Sequence, residues 1–268
     1  MAVPNQLSGT LTASTSNSTA DLIGQIGADG ATFSLSRPLA DSSVDGDSFM
    51  AKVAGLYSWT ITAPFKFPGA APQHGANPSG AYLTESGSGL YLTNVKAFDI
   101  TIAAGFGAST DDTATVGETY VQTELLGASG SFTCLVDGTA AVKAPGEGDT
   151  VVFKIGDETT NDDILQMTVE VTGETITRQR GSVTEVQYTF ESNGAIKVDG
   201  DNPLFPVSSA GTPENIPNPA FDTVRVTHAT GKYVEGSAAF QSIQISRETG
   251  SVIGGSVTLQ GSGAVTHA

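Results

Sequence analysis

The same 19-residue pattern occurs twice in this chain. Residues 178–196 and 247–265 align without a gap at an offset of 69 positions (247 minus 178). Seven positions are identical, whereas chance matching at ordinary composition gives about one or two. The identical residues, in the numbering of the first copy, are Arg178, Gly181, Ser182, Val183, Thr189, Gly194 and Ala195. Alternating apolar residues in both copies predict a half-buried strand that ends in a Gly-Ala turn, and so a duplicated end of a β-hairpin.

A second and weaker repeat lies upstream, between residues 40–61 and 111–134. Each copy has a glycine, an acidic residue, a hydroxyl residue and an aromatic residue, followed later by glycine and a Ser-aromatic-Thr strand. The offset is 71 at the first glycine and 73 where Trp59 aligns with Phe132. We call these copies the front motifs and the 19-residue copies the back motifs. Their order along the chain is front, front, back, back.

Two Pro-rich connections, within residues 64–80 and 202–219, separate the motifs into two groups that each hold one front and one back motif. The prediction is an all-β chain with short helices at most, built from two related β-sandwich units of which one is inserted into the other. Two sandwiches that exchange strands fit the sequence as well. The predicted bounds are residues 1–80 plus 201–268 for the first unit, which includes an extended N-terminal arm of residues 1–31, and 81–200 for the second.

The charge of the chain argues against tight binding of nucleic acid. It has 12 Lys and Arg against 28 Asp and Glu, a net charge of −16. Phosphate binding needs clustered basic residues, and the sequence has no basic cluster. Alternating β-branched and aromatic residues argue against disorder. No apolar run approaches about 18 residues, and the first residues lack a basic start and an apolar stretch, so we expect no membrane span and no signal peptide.

Histidine and cysteine give no pattern typical of a catalytic or metal site. His74 lies in a Pro-rich loop, His228 beside a strand and His267 near the end of the sequence, without the paired spacing of a zinc helix. The single cysteine, Cys134, lies in a predicted strand. A buried, inert thiol is its simplest interpretation.

The acidic residues are also typical of turns and surfaces. Asp41, Asp45 and Asp47 resemble a calcium loop only loosely, because the 12-residue loop with its final Glu is missing. Side chains that bond backbone N–H groups in turns explain them better. No serine-nucleophile or phosphate-loop motif occurs. The sequence therefore predicts no enzyme, no cofactor and no bound metal.

The front and back motifs together resemble a known family. Residues 40–62, with Gly46-Asp47-Ser48 and a Gly-Leu-aromatic strand after it, are similar to the first half of tailed-bacteriophage major tail proteins, also called tail tube proteins. Residues 250–266 are similar to the closing strand of that family. The two copies of both motifs cover about half of the chain.

The resemblance implies a virion protein, made in the bacterial host cytoplasm, that self-assembles. In that family six β-sandwiches close into a ring, and rings stack into the tube that carries double-stranded DNA without binding it specifically. Two units in one chain imply a homotrimeric ring of pseudo-sixfold symmetry. The implied partners are copies of the chain and other tail proteins, namely the tail terminator, the tape measure and the tail tip, with no membrane.

Two features of the residues fit this resemblance. Exposed strand edges are association sites, and an acidic inner wall would repel phosphate so that DNA slides. The candidate acids for this wall are Glu185, Glu191 and Glu248. Alternatives are another phage structural protein, such as a head-decoration or tail-tip ring protein, and a glycan-binding β-sandwich. The glycan-binding alternative needs exposed aromatic residues, whereas Trp59 alternates with Ile61 as a core residue would.

Overall fold

The computed structural model is all-β in the part of the chain that it describes. Its described residues are 10–15, 18–21, 31–43, 49–66, 81–85, 95–110, 117–136, 145, 147–157, 162–178, 180–198, 214–215, 222–229, 232–248 and 253–268. They form 18 strands, which are β1 Thr10–Thr15, β2 Ser18–Asp21, β3 Thr32–Ser36, β4 Leu39–Asp41, β5 Lys52–Ala54, β6 Ser58–Lys66, β7 Ala81–Glu85, β8 Val95–Ala103, β9 Phe106–Ala108, β10 Tyr120–Gln122, β11 Gly127–Val136, β12 Thr150–Asp157, β13 Asp162–Thr177, β14 Thr184–Val198, β15 Glu214–Asn215, β16 Asp222–Ala229, β17 Lys232–Arg247 and β18 Gly254–His267.

Fourteen of the strands form one antiparallel sheet that branches at β17. The main path runs β2-β1-β16-β17-β8-β11-β14-β13-β12-β7. One edge of β17 is covered along most of its length by β18, which continues to β6 and β3. The other edge pairs with β16 over residues 232–238 and with β8 over residues 242–247. The register shift between Phe240 and Ser242 separates these two parts, as expected where a long strand bends between two parts of a sheet.

Period-two alternation places the core on one face of the strands. In β14, Val186, Tyr188 and Phe190 are all buried while the residues between them are exposed. Tyr188 and Phe190 join an aromatic cluster with Phe132 and Phe153, whose ring centroids lie 5.1–5.9 Å apart. Such pairs contribute about 0.5–1.5 kcal/mol each beyond area burial. The alternation predicted from the back motifs is confirmed.

Trp59 is a core residue, as its alternation with Ile61 predicts; each is 1% exposed. Its indole lies against the backbone of Gly236 and Gly261. A Cβ at these positions would lie 2.5 and 2.0 Å from ring atoms, closer than packed atoms approach. The indole Nε1 donates a hydrogen bond to the carbonyl of Gly263 at 3.2 Å. Glycine is required here because the ring takes the space of a side chain.

The two back motifs contain the second strands of two long hairpins, β13–β14 and β17–β18. Val171 lies opposite Phe190, and 69 positions later Phe240 lies opposite Leu259. Both hairpins carry register shifts at matching positions, starting at Met167 and Val171 in the first and at Gly236 and Phe240 in the second.

The predicted Gly-Ala turns are wrong, because both strands continue past these glycines to Val198 and His267. Gly194 and Gly263 instead have φ of 112° and 71° within the strands. Glycine adopts positive φ at bulges without steric cost, so it shifts the register here instead of reversing the chain.

Two sets of strands follow the same order. The first strand set is β1-β16-β17-β18-β6-β3 and the second is β7-β12-β13-β14-β11-β8. A small hairpin leaves each set after its last strand: β4–β5 follows β3, and β9–β10 follows β8. All strands of the second set lie between β6 and β16 in the chain.

The front motifs match in strand but not in register. Thr60 lies opposite Gln260 and Ser129 opposite Glu191, so β6 and β11 correspond at an offset of 69. Trp59 is therefore level with Ala128, whereas the sequence alignment paired it with Phe132. Ser and Thr recur at short intervals in both strands, so hydrogen bonding rather than residue similarity fixes the register.

Other sequence expectations have mixed outcomes. Part of the expected N-terminal arm, residues 10–15, is β1 and pairs with β16 of the same chain, because its backbone completes an otherwise open edge. The acidic residues beside Gly46 predict a short helix or a wide turn over residues 46–54, but the described part of that range ends in β5. The sequence Leu90-Tyr91-Leu92 predicts a strand, which lies outside the described residues. Where the chain is described, no helix is long and apolar enough to cross a membrane.

Candidate functional site

The face of the large sheet that turns away from the core is polar. In β8, Ile100 and Ile102 are buried, while Asp99 and Thr101 between them are exposed. Equivalent positions in neighbouring strands carry mostly Ser, Thr and Gln. We call this surface the polar face. It results from strict alternation, since residues i and i+2 of a strand share one face.

Two of the three predicted wall acids lie on the polar face. Glu185 and Glu191 are six positions apart in β14 and both alternate with its buried residues. Glu185 forms an ion pair with Lys96 of β8. Glu191 is exposed and lines an open hollow of about 360 Å³ together with Thr101 and Ser129. The structure thus places both acids on one face, about 20 Å apart along the strand at about 3.3 Å per residue, and Lys96 neutralises one of them.

Glu248 belongs to neither β14 nor any other strand. It is exposed and follows Arg247, the last residue of β17. Asp99 also lies on the polar face, although no sequence motif marks it. Gln244 Nε2 donates to both Asp99 carboxylate oxygens at 3.3 Å. The alternation around Phe98 and Ile100 would have found it, since it turns Asp99 away from the core.

The two strand sets are joined by pairing between β8 and β17. Residues 98–103 of β8 run antiparallel to residues 242–247 of β17, with Ile100 opposite Ile245 and Ile102 opposite Ile243. All four isoleucines are at most 1% exposed. We call this the internal junction. It connects the last strand of the second set to a hairpin of the first, so the two sides of the contact are different surfaces.

A backbone contact beside the internal junction connects the two sets a second time. Glu118 N donates to the Tyr57 carbonyl at 3.0 Å, and Gly263 N donates to the Glu118 carbonyl at 2.8 Å. Tyr120 N donates to Ser262 Oγ at 3.1 Å. Burial, and then the hydrogen bond to Glu118, raise the pKa of Tyr120. The segment before β10 is therefore held by the ends of β6 and β18.

Gly117, in the same segment, has no room for a side chain. A Cβ there would lie 2.5 Å from the carbonyl oxygen of Gly263. The front-motif glycine of the second copy is thus explained by close backbone approach.

Each strand set also leaves one surface of the internal junction unused. Within the described residues, β3 pairs only with β6, and residues 173–177 of β13 pair only with β14. Neither stretch contains Lys or Pro, which usually protect edge strands. Leu35 and Ile176 lie on these edges and are 50% and 63% exposed. Open edges with exposed apolar residues are typical of association sites.

Among the described residues, titratable side chains elsewhere do not group as metal ligands. In the described parts of the chain, no group of three or more His, Cys, Asp and Glu could hold a metal ion. The His267 ring meets Phe33 edge-on at 5.8 Å between centroids. His74 lies outside the described residues, and His228 lies in β16.

The interpretations of Cys134 as a buried thiol and of Asp41 as a turn residue are confirmed. Cys134 is fully buried, and burial raises the pKa of its thiol to about 12, which leaves it protonated and unreactive at neutral pH. Ser43 N donates to Asp41 Oδ1 at 2.9 Å, and this bond holds the pKa of Asp41 below its usual value. Asp45 and Asp47 lie outside the described residues.

Comparison of the chain with protein-family models gives no match, and comparison with curated proteins gives none either.

Proposed function

We propose that this chain is a structural virion protein that assembles into the tail tube of a tailed phage. Homotrimeric rings of pseudo-sixfold symmetry stack into the tube, and double-stranded DNA passes through it without specific binding. The observation that carries the proposal is the internal junction, a head-to-tail contact whose two surfaces recur, unused, at β3 and β13.

The first step of the proposal is that the chain contains two related β-sandwich units, one nested in the other. Support comes from the common strand order of the two sets and from the matching registers of their hairpins. The nested arrangement is favoured over strand exchange, because the second set lies wholly between β6 and β16 in the chain. The proposed bounds stay at residues 1–80 plus 201–268 and residues 81–200.

The second step concerns symmetry. A contact between two different surfaces generates a ring if its rotation closes, or an open helix if it does not. The internal junction is such a contact between units. Repetition of it between chains gives a ring in which every unit donates one edge and receives another. The number of six units, and hence three chains, comes from the family resemblance.

The third step assigns the polar face to the tube lumen. Its Ser, Thr and Gln side chains hold no positive charge for phosphate, and Asp99 and Glu191 carry negative charge. Like charges at a tube wall keep a polyanion from adhering. Glu185 contributes less net charge, because Lys96 pairs with it. Glu248 remains a candidate at the end of β17.

Electron microscopy of the purified protein, with its solution mass from light scattering, tests the proposal. Trimers that stack into tubes as the concentration rises are the expected result. Hexamers would keep the tube and refute the account of two units per chain. A chain that stays monomeric at all concentrations would refute the tube. A neutral or basic bore in a reconstructed ring would refute the acidic lumen.

A further inference from the structure

We infer that β3 of one copy of the chain adds as a strand to residues 173–177 of β13 in a second copy, in the register of the internal junction. The open edge of β3 in one copy thus pairs with the open edge of β13 in the next copy. The inference rests on the proposed function in taking the neighbour to be a second copy in a ring.

The register follows from two correspondences between the strand sets. Ile61 lies opposite Phe33 in the first set, and its counterpart Gly130 lies opposite Ile100 in the second, so β3 and β8 correspond at an offset of 67 (100 minus 33). The hairpins correspond at an offset of 69.

Transfer of the internal junction to the open edges then fixes each pair. Ile100 opposite Ile245 becomes Phe33 opposite Ile176, since 245 minus 69 is 176. Thr101 opposite Gln244 becomes Ser34 opposite Thr175 by the same subtraction.

The exposure of the apolar residues agrees with this register. Ile176 is 63% exposed and Leu35 is 50% exposed, whereas their counterparts Ile245 and Ile102 are each 1% exposed. The counterparts lie in the core and inside the internal junction. An isolated chain therefore exposes the apolar side chains that the same contact, repeated between chains, would cover.

The polar side of the two edges also agrees with the inferred register. Ser34 and Thr175 are exposed, and their counterparts Thr101 and Gln244 lie on the polar face. The only charge on the β13 edge before its end is Glu174, which lies on the apolar side with Ile176, as the counterpart of buried Ile243, and would meet Leu35 in the inferred register. Strand addition would extend the polar face without interruption from one chain to the next.

The hydrogen bonds that hold the segment before β10, beside the internal junction, cannot be repeated at the open edges. In β10 and β5, Gln122 and Ala54 occupy equivalent places in their hairpins, an offset of 68, so Phe49 corresponds to Gly117. A Cβ at Gly117 would lie 2.5 Å from a carbonyl oxygen. Phe49 cannot take that path, so we restrict the inferred contact between chains to β3 and β13.

Disulfide trapping tests the register. The variant Ser34→Cys/Thr175→Cys places thiols at directly opposed positions, which are about 5 Å apart between Cβ atoms in antiparallel pairs. Mild oxidation should convert it to covalent oligomers that end at a trimer on non-reducing gels. The shifted variant Ser34→Cys/Thr177→Cys places the thiols diagonally, about 7 Å or more apart, and should give little crosslinking. Thr101→Cys/Gln244→Cys, inside the internal junction, should close within one chain.

The outcomes separate the inference from the proposed function. Tubes without crosslinks in Ser34→Cys/Thr175→Cys, or equal crosslinking in the shifted variant, would overturn the inferred pairing and leave the tube standing. Crosslinked trimers that never stack would support the pairing and overturn the tube. Absence of both crosslinks and assembly would overturn both.

A second measurement does not depend on the cysteines. Ile176→Asp places a charge at the inferred contact and should abolish assembly. Val183→Asp is the matched control, since Val183 is also exposed, at 51%, but lies in the turn before β14. Equal assembly of the two variants would overturn the inference.

Discussion

Ile176 and Ile245 occupy the same place in the two hairpins, 69 positions apart, but truncation of each should weaken a different property of the protein. Ile245 lies inside the internal junction and is 1% exposed, whereas Ile176 is 63% exposed on an open edge. We expect Ile245→Ala to lower the stability of the chain and Ile176→Ala to weaken the association between chains.

The magnitudes follow from burial. Truncation of a buried isoleucine to alanine costs about 2–5 kcal/mol, which is the expected loss in free energy of unfolding for Ile245→Ala. Association would bury a further 62% of Ile176 (63 minus 1). About 60% of the same range gives about 1–3 kcal/mol for each contact, or about a 5- to 150-fold weaker association. In the dilute monomer, Ile176→Ala should change the free energy of unfolding by less than about 0.5 kcal/mol.

Two assays on the same preparations separate these effects. Urea denaturation below the association concentration measures the free energy of unfolding, and sedimentation velocity over a concentration series measures association. The reasoning would be refuted if Ile176→Ala assembled at the wild-type concentration. It would also be refuted if the two variants lost equal amounts of monomer stability.

Further predictions concern the core. Gly261→Ala would put a Cβ 2.0 Å from the Trp59 ring and should lower the free energy of unfolding in urea by about 2–3 kcal/mol. The control is Gly127→Ala, whose new Cβ would have its nearest atom at 3.8 Å and which should change the free energy of unfolding by less than about 1 kcal/mol. Equal losses in the two variants would contradict the packing of Trp59 against Gly261. Burial raises the pKa of Cys134 from 9.0 to about 12. The stability that its neutral thiol contributes is therefore full below pH 9 and is lost as the pH rises from 9 toward 12. Cys134→Ala should flatten this part of the curve of unfolding free energy against pH, and a native thiol that reacts quickly with a maleimide at pH 7 would contradict its burial. The Tyr188 hydroxyl is buried without a hydrogen-bond partner among the described atoms, so Tyr188→Phe should raise the free energy of unfolding by about 1 kcal/mol; a loss of that size would point to a partner for the hydroxyl.

Much of the strand content was predictable from local alternation. Val186, Tyr188 and Phe190 alternate with polar residues, and so do Ile100 and Ile102, which is enough to predict strands and their buried faces. The single tryptophan was placed in the core for the same reason. The Gly-Ala pairs were misread as turns because a positive-φ glycine serves a turn and a bulge equally well, and only the partner strand distinguishes them.

The candidate site was predictable only in part. The outward direction of Glu185 and Glu191 follows from their alternation with apolar residues. Their environments do not, because the ion pair of Glu185 depends on Lys96, which is 89 positions away in the chain. Asp99 was missed because no motif marks it.

The residue order of the chain thus determines strands, faces and a repeat of 69 positions, because these depend on side-chain alternation along one strand. It does not determine which edges remain open. Ile176 and Ile245 stand in equivalent sequence patterns, yet one is exposed and the other buried. The difference arises because β8 is beside β17, and no strand in the described chain is beside the end of β13. Edge pairing is a long-range contact between backbones, so it depends on the assembled sheet and is not encoded in either strand alone.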